Sequence, residues 1–71
     1  MVFRLVLDEA AEVKVLVYNF RGERIAMIEA SLLAGQGSVT WNCSSVAPGV
    51  YLARLQVNGQ ERKKIKVAVI R

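Results

Sequence analysis

Seventy-one residues at 7.9 kDa provide for one domain. At that mass the folded surface scales to roughly 4,400 Å² against roughly 11,500 Å² for the open chain, so about 60% can be buried, near the lower limit for a domain that folds alone. Hydrophobic residues make up 54% and charged residues 23%, which excludes a disordered tail. Arg4, Asp8, Lys14, Arg21 and Glu29 break every apolar run short of the roughly 20 residues of a membrane helix. The chain has no His and one Cys, which excludes zinc fingers, disulfide scaffolds, imidazole acid–base catalysis and Cys–His nucleophiles.

The start, Met1-Val2-Phe3-Arg4 with Asp8 and Glu9 close behind, is not a secretory signal, which needs a basic start and an unbroken apolar stretch. The protein is therefore expected either to stay inside the cell or to be a fragment of something longer. Eleven Val and four Ile favour strands, because β-branched side chains lose rotamer freedom in a helix and pack well on a pleated surface.

Val2–Leu7 reads as a strand with Phe3, Leu5 and Leu7 on one face, and Asp8–Ala11 as a turn. Val13, Val15 and Val17 alternate with Lys14, Leu16 and Tyr18 at a period of two. Asn19–Glu23 is a turn in which Gly22 is free to take positive φ, and Arg24–Ile28 resumes as a short strand. Ile25–Ala34 leaves a second alternative open: Ile25, Ile28 and Leu32 stand at helical spacing, and Ala26, Ala30 and Leu33 are good helix formers. In either case Leu33–Gly37 is expected as a loop, followed by a strand over Ser38–Trp41 with Val39 and Trp41 on one side. Asn42–Gly49 is rich in loop formers. Val50–Val57 is a strand with Tyr51, Ala53, Leu55 and Val57 on one side and Arg54 and Gln56 on the other. Asn58-Gly59 is a two-residue hairpin signal, both residues tolerating positive φ. Gln60–Ile70 returns as its partner, with Ile65, Val67 and Val69 inward and Lys64 and Lys66 outward. The fold class is all-β: about six to seven short antiparallel strands in a small immunoglobulin-like sandwich.

The formal charge of +4 lies entirely in the last segment. Residues 1–60 hold five basic and five acidic residues; Arg62, Lys63, Lys64, Lys66 and Arg71 follow, against Glu61 alone. One reading is an edge strand protected by lysine against edge-to-edge pairing; others are a recognition signal or a nucleic-acid patch. No aromatic residue stands between these cations to stack a base, so nucleic acid is not expected as a partner.

No catalytic constellation emerges. Asp8, Glu9 and Glu12 read as solvated acids of a turn, Ser44-Ser45 has no partner base, and Cys43 stands on a polar loop without His or another evident base. Gly35 and Gly37 lack the spacing and the following helix of a phosphate loop. No enzyme, cofactor or metal is expected. Trp41 reads as the core anchor, with a ligand-stacking platform as its alternative. Tyr51 is expected to bury its ring and bond its hydroxyl to a nearby loop, as in a tyrosine corner. Gly49 is expected to permit a bend or close backbone approach, and Pro48 to preset the loop.

Three segments in order carry a family resemblance: VKVLVYNFRG at 13–22, AGQGSVTWN at 34–42, and PGVYLAR at 48–54 with its continuation LQVNGQERKKIKV. The set resembles a small immunoglobulin-like module shared by two bacterial families. One is the C-terminal sorting domain of proteins exported by the type IX secretion pathway; the other is the immunoglobulin-like domain of the flagellar hook-capping protein. Tyr18-Asn19 stands where that pattern has Tyr-Asp, and Gly22 closes the turn. Val39-Thr40-Trp41 and Gly49-Val50-Tyr51 match directly, and a basic final strand follows. The pattern's Asn-Pro-rich segment before the first strand is missing, and Asn19 in place of Asp puts any role for a negative charge there in doubt.

The resemblance implies that residues 1–71 are one non-catalytic module, the C-terminal part of a longer secreted protein found outside the cell or on its surface. Secretion machinery would be its partner, and Lys63, Lys64, Lys66 and Arg71 the recognition residues. Membrane insertion is not expected; a homo-oligomer through edge strands is open. The alternatives are a structural spacer or assembly module and, requiring a row of exposed aromatics, a carbohydrate-binding sandwich.

Overall fold

Alternation along Val13, Val15 and Val17 fixes which face of the larger layer is buried. In the computed structural model, which describes residues 1–44 and 46–70, these three are the largest fully buried side chains. They lie on β2 (Ala11–Tyr18), at the centre of a four-stranded antiparallel sheet. Its order is β3 (Arg24–Leu32), β2, β5 (Gly49–Val57) and β6 (Gln60–Val69). The second layer is a two-stranded antiparallel sheet of β1 (Val2–Leu7) and β4 (Gly35–Thr40). There is no helix among the described residues, and hence none long and apolar enough to cross a membrane.

The core closes between these layers. Phe3 and Val39 from the small sheet, with Trp41 just beyond it, meet Val13, Val15, Val17, Tyr51, Ala53, Leu55, Val57, Val67 and Val69 from the large one. Burying each aliphatic side chain contributes roughly 1.5–3 kcal/mol before conformational entropy is subtracted. The fold is the all-β sandwich expected, with six strands among the described residues.

Two local expectations are corrected. Residues 25–34 do not form a helix: β3 is a nine-residue strand whose Ala26, Ile28, Ala30 and Leu32 are half-buried against the core, while Met27, Glu29 and Ser31 face out. Its ladder with β2 runs from Ala11↔Leu32 to Tyr18↔Arg24, and a ten-residue helix could not replace those bonds to the central strand. Gly35-Gln36-Gly37 is strand rather than loop, pairing with Leu7, Val6 and Leu5. The side chain of Leu32 fills the space beside Gly37, where a Cβ would lie 3.0 Å from Leu32 Cδ1. Leu33-Ala34 alone links the two sheets there.

Two bulges complete the large sheet. The β2–β3 register shifts at Val17/Tyr18 and accommodates Ile25. The β5–β6 register shifts at Leu55/Gln56: Gln56 pairs with Glu61 and Leu55 with Lys63, leaving Arg62 as the extra residue. The hairpin at Asn58-Gly59 has positive φ at both positions, 51° and 82°. Asn58 also ties it to β2: its N–H donates to Glu12 O (2.8 Å), and its Oδ1 accepts from Glu12 N–H (3.0 Å).

Candidate functional site

The motif positions divide into two structural centres. The first is the β2–β3 turn, organised by Asn19. Asn19 Oδ1 accepts from the N–H groups of Arg21 (2.9 Å) and Glu23 (3.0 Å), and Nδ2 donates to Glu23 Oε1 (3.2 Å). Its N–H donates to Glu23 O and its carbonyl accepts from Gly22 N–H, both at 3.0 Å. Gly22 takes φ of 82°, which L side chains rarely adopt. Both acceptor bonds need an oxygen at position 19, which Asn supplies as well as Asp; a negative charge is not required for them.

The second centre is the β4–β5 corner. Trp41 is buried, and its N–H donates to Met1 O at 2.8 Å. Its ring meets Tyr51 edge-on, with centroids 5.8 Å apart at 73°. The hydroxyl of Tyr51 donates to Ala47 O four residues upstream, the tyrosine-corner bond expected. With 4% exposure Trp41 is a core anchor, which excludes the stacking-platform alternative. Gly49 enters β5 at φ of 159°, and a Cβ there would make only an ordinary 3.9 Å contact with the Tyr51 ring, so close approach is not its role. Cys43 is half-buried and packs against the core instead of standing in solvent. Glu12 Oε1 accepts from Ser31 Oγ at 2.7 Å, and no cluster of His, Cys, Asp or Glu fit to hold a metal occurs among the described residues.

The cationic residues stand on β6, an edge of the large sheet, with Lys63, Lys64 and Lys66 all exposed. They do not share a face. Register puts Lys64 opposite Arg54 and Lys66 opposite Leu52 on the outer face, but Lys63 opposite Leu55 on the core-bearing face. An inward-side lysine at an exposed edge discourages pairing with another strand. Glu61 offsets part of this charge: its carboxylate accepts from Arg54 Nε and lies 3.8 Å from Lys64 Nζ. That hydrogen bond and the charge of Glu61 hold the Arg54 guanidinium above its ordinary pKa. Arg71 lies outside the described residues.

An outer-face surface absent from the sequence expectations adjoins this ribbon. The register aligns Arg24, Tyr18, Leu52 and Lys66 in one row, and Met27, Leu16, Arg54 and Lys64 in the next. The Arg54 guanidinium carbon lies 5.7 Å from the Tyr18 ring centroid. The sequence signal for it is apolar residues at outward positions of alternating strands: Leu16, Val50 and Leu52.

The secretion system C-terminal sorting domain family matches residues 2–71, and the chain belongs to that family. It is a type IX secretion sorting domain, part of a secreted or cell-surface protein that interacts with that machinery. The hook-capping half of the resemblance is not supported. No curated protein and no solved structure matches the chain.

Proposed function

We propose that the domain is a non-catalytic address, carried as the C-terminal module of a larger bacterial protein and read by an acidic surface of the export machinery during passage through the outer membrane. Lys63, Lys64 and Lys66, together with Arg71, make the contact. The observation that carries this reading is that β6, a ten-residue edge strand with exposed lysines, holds three of the four net positive charges. Such an edge offers concentrated positive charge, and charge complementarity chiefly supplies specificity and association rate.

The test fuses the chain behind a signal peptide and a reporter in a host with a working type IX pathway. The comparison is a Lys63→Glu/Lys64→Glu/Lys66→Glu variant whose folding is verified by circular dichroism. Surface delivery is expected to fall by roughly tenfold or more, the equivalent of about 1.4 kcal/mol at the contact. Undiminished delivery by the folded variant overturns the assignment. Delivery of the reporter without the domain would identify it instead as a spacer.

A further inference from the structure

The outer face holds a groove of about 510 Å³ between the Asn19–Glu23 turn and the start of β5. Tyr18, Val50 and Leu52 supply apolar lining, with Phe20 alongside. Two of these are unusually open for their type: Phe20 is 86% exposed and Val50 60%. The cations Arg54 and Lys66 line it, and no acidic side chain among the described residues does. The nearest carboxylates are already engaged, Glu23 by Asn19 and Arg21 and Glu61 by Arg54 and Lys64. The Arg21 guanidinium lies 5.6 Å from the Phe20 ring centroid, extending positive charge over the outer wall.

We propose that this groove is a binding site for an acidic peptide segment carrying an apolar anchor residue. The anchor side chain sits on Tyr18, Val50 and Leu52, and flanking Asp or Glu carboxylates meet Lys66 and those N–H groups of Arg54 that Glu61 leaves available, its Nε being taken. Aromatic and Arg-rich concavities are where anchors at protein interfaces lodge. The charge is complementary to an acidic strand and repels a second copy of this basic chain. The inference is independent of export: the groove would bind such a segment in a protein that never leaves the cell.

The experiment titrates the 71-residue chain with a labelled peptide of Asp and Glu around a Leu-Phe core, at about 50 mM salt, following anisotropy and amide shifts. Controls are the same peptide with Ser replacing Leu and Phe, and phosphatidylglycerol vesicles. Saturable binding is expected, with shifts centred on Tyr18, Val50, Leu52 and Lys66. It should weaken roughly tenfold with the Ser peptide and with Lys66→Glu or Phe20→Ala, both at exposed positions where folding is not at stake. Equal affinity for the Ser peptide, indifference to both substitutions, binding to vesicles alone, or no binding would each overturn the proposal.

Discussion

Asn19 holds the β2–β3 turn through five hydrogen bonds, three from its side chain and two from its backbone. Replacing it by Ala leaves two turn N–H groups without their acceptor. Asn19→Ala should therefore lower stability by about 1–2 kcal/mol, read as a lower urea midpoint at unchanged slope. Asn19→Asp keeps both acceptor bonds but sets its carboxylate against Glu23, so it should fall between wild type and Ala. A midpoint for Ala equal to wild type would show that Gly22 suffices for the turn. At this scale the motif residues were legible, because a turn former, a glycine and a buried aromatic each act through local chemistry. The bulge at Arg62 was not, because it leaves no periodic trace in a run of basic residues, whereas the face of Lys63 follows from its alternation with Ile65, Val67 and Val69.

Among the elements, β1, β2, β5 and β6 announce themselves through alternation. β3 does not. Its Ala26 and Ala30 are good helix formers, and its strand state comes from pairing with β2, a contact that spacing within 25–34 cannot reveal. Gly35 and Gly37 mislead for a related reason: their strand state depends on β1 beside them and Leu32 packed over Gly37. The bulge on β6 leads to a sharp expectation. Arg62 has no partner on β5, so deleting it leaves Gln56↔Glu61 and Leu55↔Lys63 in regular alternation. Deletion of Arg62 should shift the thermal midpoint by no more than a few degrees. Deleting Lys66 instead, beyond Ile65, turns outward either Val67 and Val69 or, if the bulge is absorbed, Ile65, and should lower the thermal midpoint much further. Equal damage from the two deletions would contradict the assigned register.

Over the whole molecule, the accessible surface is 4975 Å², above the roughly 4,400 Å² that its mass predicts for an average shape, because the sandwich is a flat body of 35 × 21 × 15 Å. Measured against an open chain of roughly 11,500 Å², about 57% is buried, so modest terms decide whether it folds. One such term is mutual repulsion along β6, where Lys64 stands directly across from Arg54 and Glu61 alone lies between them. Dissolved sodium chloride relieves that repulsion and equally weakens any attraction between the ribbon and an acidic partner. Raising it from about 20 to 500 mM should steady the fold by about 0.5 kcal/mol, seen as a higher melting temperature. A lower melting temperature in brine would be the contrary result. The same strand thus makes ionic strength a two-handed control, with dilute surroundings favouring capture and concentrated ones favouring the solitary domain.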